Sequence, residues 1–208
     1  MNLLWKLLIG LFFVILIYFC RSFLLNSIIL FITVKDTTCP AGAIVIESWS
    51  YPHKASIKAA VQQQSKDSGS IIFLTEYFPS GSSLAAFIES SQDHRRNLNL
   101  YLEAEGLQPD KVLRIYVEQK RPITWNTADT VIKTLSGRGY RSMVLVSHWH
   151  HSRRSCEVYS KMGKEKGITV YCTPIECDLK MDSWWNSSNG LSTVFREILE
   201  RVYYLLFK

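Results

Sequence analysis

The stretch MVLVSHWHHSRRSCEVYSKMGKEKGITVYCT (143–173) decides the fold. It opens on a short apolar run, MVLVS (143–147), crosses a polar turn into a helical pattern over roughly 153–166, and returns to a second apolar run, ITVYCT (168–173). Runs this short and this rich in β-branched residues read as buried strands. Strand, helix and strand in that order form a βαβ unit, which makes the two strands parallel.

Working outward, AIVIE (43–47), IIFLT (71–75) and VLRIY (112–116) repeat the strand pattern, with helical patterns near 54–66, 91–106 and 126–137 between them. The expected fold class is α/β: a Rossmann-like, doubly wound, mostly parallel sheet of about five strands, covered on both faces. A last helix carries Leu191, Val194, Phe195, Ile198, Leu199, Val202 and Leu206 on one face, with Arg196, Glu197, Glu200 and Arg201 opposite. PSGSS (79–83) and WWNSSNG (184–190) read as loops, and the chain has no internal repeat.

The N-terminus is of a different kind. Residues 7–20 (LLIGLFFVILIYFC) carry no charge, and a second apolar run, SFLLNSIILFITV (22–34), follows Arg21. A spanning helix needs about 20 apolar residues, which 3–20 supply if Lys6 reaches the headgroups and Trp5 sits in the interface. Arg21 at mid-bilayer would cost about 2.5–3.5 kcal/mol or more. The expected organisation is therefore a membrane anchor over 1–34, with one span over about 3–20 and an apolar segment beyond it on the membrane or the domain. The α/β domain covers 35–208. A hairpin of two short spans is the alternative.

Lys6 precedes the span while Arg21 and Lys35 follow it, so the positive-inside bias is nearly balanced. The expectation is a single-pass protein of the cell membrane with its domain outside the cytoplasm. A Cys172–Cys177 disulfide would suit an oxidising compartment; two buried free thiols fit the sequence equally.

Composition excludes several classes. Of 208 residues, 47% are hydrophobic and 20% charged, so the chain is neither disordered nor collagen-like. The net charge of +6 is spread: residues 1–34 hold only Lys6 and Arg21, and the remainder carries 22 basic against 18 acidic residues. No basic stripe with interleaved aromatics points to nucleic acid. GxGxxG, Walker and GxSxG sequences are all missing, which disfavours ordinary Rossmann dehydrogenases and P-loop enzymes, leaves any cofactor unknown and provides no nucleophile elbow.

Open α/β sheets bind ligands at the carboxyl ends of their strands. Glu47-Ser48-Trp49, Thr75-Glu76, the Thr124–Ala128 loop and Ser147–Arg154 leave those ends. The densest polar cluster is SHWHHSRRS (147–155), where a helix starting near Ser152 offers free N–H groups and a positive dipole end. His151 and Arg154, three apart, can share a side of that first turn and receive an anion. A solvated basic turn is the plain alternative. Thr124 or Asn126 can cap the next helix, or hold a ligand with the same hydroxyls and N–H groups. Glu47 is either a general base or the partner of an arginine.

A metal reading competes at the same turn, because His148 and His150, two apart, share a face of an extended segment. The metallo-β-lactamase pattern HxHxDH asks for Asp and His where this chain has Ser152 and Arg153, and an arginine there repels a divalent cation. The expectation is no metal.

Four motifs in order resemble the SanA/YdcF/ElyC-type family of bacterial envelope-associated α/β proteins, over roughly residues 41–206. Ile46-Glu47-Ser48-Trp49 resembles VEGW, and Thr124-Trp125-Asn126-Thr127-Ala128 resembles TxENA or TYASA. His151-Ser152-Arg153-Arg154-Ser155 resembles HMPRA or HARRS. Trp184-Trp185-Asn186-Ser187-Ser188-Asn189-Gly190, with Tyr203-Tyr204 beyond it, is similar to the closing WWxSSxG and YLY. Ser48-Trp49 and Glu76-Tyr77 stand where relatives often carry glycines, and the expectation is that their side chains narrow or rebuild the pocket.

The resemblance implies a role in cell-envelope or surface-polysaccharide biogenesis, without a settled reaction. Its expected ligand is an anionic, phosphorylated small molecule or lipid-linked intermediate. His151 is then an acid/base or phosphate ligand, Arg154 an anion clamp, Thr124 and Thr127 hydroxyl ligands, and Glu47 the residue closing the site. Ser147 and Trp49 complete the ligand-binding set. The competing expectation is a non-catalytic membrane-tethered scaffold, with Trp49, Trp184 and Trp185 receiving an envelope protein partner.

Overall fold

The computed structural model describes residues 3–37, 39–48 and 51–207, so Trp49 lies outside the described residues. The elements run α1 (Leu3–Ile32), β1 (Ala43–Ile46), α2 (Lys54–Gln64), β2 (Ile71–Phe78), α3 (Leu84–Ser90), α4 (Gln92–Ala104), β3 (Val112–Glu118), α5 (Ile123–Gly137), β4 (Ser142–His148), α6 (Ser152–Glu165), β5 (Thr169–Ile175) and α7 (Ser188–Phe207). All five strands are parallel, in the order β3-β2-β1-β4-β5. This is the doubly wound α/β sheet that the alternating pattern predicts.

The central strand shows why the pattern works. All four residues of β1 are buried, as a strand covered on both faces requires. Ala43 and Val45 join the core beneath α5 and α6, while Ile44 and Ile46 join the one beneath α2 and α4. β2 outruns its expected end at Thr75. Thr75 and Glu76 pair with Ile115 and Tyr116 inside the sheet, so they do not form a strand-end loop. The short helix α3 has no counterpart in the periodicity.

α1 continues through Arg21 without a break and is the described helix long and apolar enough to cross a membrane. At about 1.5 Å per residue, the part before Arg21 approaches the thickness of a bilayer's hydrocarbon layer. The rest packs on the domain: Leu25, Ile28, Ile29 and Ile32 meet Trp149, Trp184 and Val194. The Arg21 guanidinium lies 5.8 Å above the Trp185 ring, at the level where α1 begins to meet the domain.

α7 corrects the sequence reading in two ways. It begins at Ser188, inside the expected 184–190 loop, because Gly190 lets the helix start directly under Trp184. A Cβ on Gly190 would lie 1.9 Å from the Trp184 carbonyl oxygen. The helix also turns its charges inward: Val194, Glu197 and Arg201 are buried, whereas Leu191, Phe195, Leu199, Val202 and Leu206 are exposed. Glu197 faces Arg154 and Arg201 faces Glu157, both on α6, and Arg201 also donates to the Phe31 carbonyl. Charge matching with α6, which helical spacing cannot encode, selects the face.

The cysteines pair differently from expectation. Cys156 of α6 is bonded to Cys172 of β5, and Cys177 is free. Cys172 points from its strand toward the helix of the same βαβ unit, where Cys156 stands ready.

Candidate functional site at the carboxyl edge between β1 and β4

The chain steps from β1 to β2 to β3 in one direction and places β4 and β5 on the other side of β1. The strand order therefore reverses between β1 and β4, and the crevice outside their carboxyl ends is where such sheets receive ligands.

Glu47 leaves β1 there, its N–H bonded to the Val146 carbonyl at 3.3 Å. β4 ends at His148, and a single 3-10 turn over Trp149–His151 leads into α6. This turn brings His151 Nε2 to 3.7 Å from Glu47 Oε2. Burial raises the Glu47 carboxyl, but His151 first, then Ser155 and Tyr159, more than offset it and hold the group below its ordinary value of 4.5. The carboxylate is thus ionised beside an imidazole. Burial, reinforced by the Glu47 charge, pushes the Tyr159 hydroxyl well above its usual range.

Buried polar atoms gather at this edge: the Glu47 carboxylate with Ser155 and the Tyr159 hydroxyl around it, and Ser48 Oγ, Ser147 Oγ and His150 Nδ1 without a hydrogen-bond partner. Native interiors satisfy the great majority of such atoms. Ser48, Ser147 and His150 thus leave three polar atoms open around one crevice.

Four of the five histidines also converge here. The His148 ring lies 5.9 Å from His53, 5.6 Å from His150 and 5.8 Å from His151, and His150 lies 5.1 Å from His151. Burial pushes His148 down to about 4 and His150 down to about 2, with the neighbouring imidazoles adding to the effect, so both rings are neutral at neutral pH. His53 Nδ1 accepts from the Ala55 N–H at 3.1 Å, which leaves its Nε2 proton facing Asp178 Oδ1 at 3.3 Å. One ligand atom each from His148, His150 and Cys177 lie within 4.8 Å of one another.

The expected site residues divide. Glu47, His151 and Ser147 share the crevice. Arg154 does not serve as a free anion clamp. Its Nε and Nη2 meet Glu197 at 2.7 and 2.8 Å, Nη2 also meets Glu200 at 2.9 Å, and Nη1 donates to the Thr124 hydroxyl. An anion at that guanidinium would compete with two carboxylates. Thr124 is spent on the same contact, and Thr127 bonds the Ile123 carbonyl and lies 3.1 Å from the Tyr77 hydroxyl. Neither Thr124 nor Asn126 caps α5; Pro122 precedes it, and Asn126 donates to the Glu118 carbonyl instead.

Arg153 also turns elsewhere, donating to the Thr33 and Leu30 carbonyls at the end of α1. The repulsion that disfavoured a metal at His148 and His150 is accordingly directed at the end of α1. His53 is absent from the sequence expectations, and Cys177 enters them only as a disulfide candidate. Cys177 stands two residues past β5, so the strand-end rule applied to every strand finds it; His53 leaves no such signal.

A separate open groove of about 420 Å³, at the β3 edge, is lined by Gln92, Arg95, Arg96, Asn99 and Arg114. Arg114 there is bound to Glu76 and Asn99.

No family model matches this chain, and no curated protein matches it. Among solved structures it is similar to a universal stress family protein from Burkholderia pseudomallei, at 12% identity and a TM-score of 0.38, covering 65% of this chain and 97% of that one. A universal stress protein in complex with cAMP gives 11% identity, a TM-score of 0.40, and 65% and 98% coverage. The macrodomain of Thermus aquaticus DarG gives 8% identity, a TM-score of 0.29, and 69% and 96% coverage.

Proposed function

We propose that the protein is a membrane-tethered α/β protein of SanA/YdcF/ElyC-like type, serving cell-envelope or surface-polysaccharide biogenesis. In this reading its β1–β4 crevice binds or acts on a phosphorylated, lipid-linked intermediate at the bilayer surface. The observation that carries it is the Glu47–His151 contact at 3.7 Å, at the switch edge and beside the foot of the anchor. The Val34 N–H bonds Ser152 Oγ at 3.1 Å, and Arg153 holds the last carbonyls of α1. A headgroup held at the membrane surface therefore lies near the crevice.

In that setting an ionised Glu47 and the imidazole of His151 act as an acid–base pair. Such a pair can take a proton from an attacking hydroxyl or pass one to a leaving group. The anion faces imidazoles and the start of α6, since Arg154 is already matched by Glu197 and Glu200. The Cys156–Cys172 disulfide suits an oxidising compartment, which supports a domain outside the cytoplasm. The apolar stripe that α7 leaves exposed favours the second reading, a scaffold that receives an envelope protein.

The test is thermal melting of the full-length protein in nanodiscs with and without polyprenyl phosphate, beside a panel of sugar nucleotides. A ligand that binds only the native state raises the melting temperature. The reading expects a rise in the wild type that is lost in Glu47→Gln and His151→Gln. No rise with any of these ligands, together with a stoichiometric protein partner retained by both variants, establishes the scaffold instead.

A further inference from the structure

We infer that His148, His150 and Cys177 form a binding site for a divalent transition metal of the zinc class, with three protein ligands and a fourth position left for water or a ligand atom. This goes beyond the functional reading above and does not depend on it.

The geometry is close to what such a site needs. The three candidate ligand atoms lie within 4.8 Å of one another. Tetrahedral zinc, with bonds of about 2.0–2.1 Å to nitrogen and about 2.3 Å to sulfur, sets its ligands roughly 3.3–3.6 Å apart. The ligand atoms therefore need to close by about an ångström to hold the ion.

A second observation points the same way. His150 Nδ1 is buried with no hydrogen-bond partner, and a buried ring nitrogen in that state, donor or acceptor, is costly unless something engages it. The ligand-bearing segments are also locked together. The buried Trp149, between the two histidines, donates its indole N–H to the Leu179 carbonyl at 2.6 Å. That carbonyl lies 3.9 Å from Cys177 Sγ. The loop after β5 is thereby fixed against the turn after β4, as a supporting shell fixes metal ligands.

The donor set selects the metal class. One thiolate with two imidazoles favours zinc and its neighbours over magnesium or calcium, which prefer oxygen. Binding releases the Cys177 proton, leaving a net charge of +1 at a site beside Glu47 and His151. A third protein ligand closes structural sites only when a fourth joins it; three with an open position is the arrangement of catalytic zinc.

Cobalt(II) substitution tests the assignment on the full-length protein in detergent. The background Cys20→Ser/Cys39→Ser leaves Cys177 as the one free thiol, since Cys156 and Cys172 are bonded to each other. The expected result is one cobalt per chain, with a thiolate-to-cobalt charge-transfer band and the intense visible absorption of a tetrahedral site, both displaced by zinc. Cys177→Ser changes a single atom and should abolish the charge-transfer band while the protein stays folded. Trp149→Phe should weaken the metal by about 10–100-fold. A folded protein without the thiolate band, or one whose spectrum survives Cys177→Ser, overturns the site. Neither outcome bears on ligand binding through Glu47 and His151, so the two readings fail separately.

Discussion

Arg154 and Glu197 meet edge to edge across α6 and α7, Nε to Oε1 at 2.7 Å and Nη2 to Oε2 at 2.8 Å, with both side chains almost fully buried. A guanidinium and a carboxylate paired in this way are strong partners and poor candidates for anything else. The pair holds α7 against the domain, with Arg201 and Glu157 repeating the arrangement farther along.

Breaking such a pair leaves a buried charge without compensation, at a cost of about 3–5 kcal/mol. Arg154→Met should therefore lower the urea midpoint sharply, whereas Arg154→Met combined with Glu197→Leu should recover most of the loss. Equal stability of the wild type and the single variant would return the guanidinium to the ligand site.

Glu47 provides a pH signature. Its folded-state carboxyl is held below the ordinary value of 4.5, so the ionised form is favoured by folding. The corresponding stability is fully present above that value and is lost as pH falls through the lower folded value. Glu47→Gln should be less stable than the wild type at neutral pH, and the gap between their melting temperatures should close on acidification. A gap that is constant with pH contradicts an ionised Glu47.

The disulfide makes a separate claim about the cysteines. Peptide mapping of unreduced protein should join Cys156 to Cys172 and leave Cys177 open to alkylation. Closing a loop of this length contributes about 3 kcal/mol, so Cys156→Ala with Cys172→Ala should lower stability by about that amount. A Cys172–Cys177 linkage in the map is the contrary result.

The orientation of α7 can be read by two substitutions. Val194 is buried and Leu199 is 70% exposed. Val194→Ala should cost about 2 kcal/mol, and Leu199→Ser less than about 0.5 kcal/mol. The reverse order would show that the apolar stripe, not the charged pairs, faces the core.

How much of this was open to sequence reading depends on how local each feature is. The strands were legible because burial on both faces demands short β-branched runs, and AIVI meets that demand at every residue. Glu47 and His151 were legible because parallel strands bring their carboxyl ends to one edge. The partner of Arg154 was not: Glu197 lies 43 residues away, and nothing in the spacing says that the two carboxylates of that helix turn toward α6. α7 failed for the same reason, since an apolar stripe says which residues share a face but not which face docks. Cys177 follows a strand end as Glu47 does, whereas His53 converges on His148 from the start of α2, through packing that no spacing rule describes.

In the proposed function, the crevice between β1 and β4 receives the ligand. Hydrogen exchange of the full-length protein in nanodiscs, with and without polyprenyl phosphate, tests it most directly. The account predicts slowed exchange confined to residues 47–48, 148–155 and 177–179. Slowing at the arginine-lined groove around Arg95, Arg96 and Arg114, or nowhere in the domain, would contradict it.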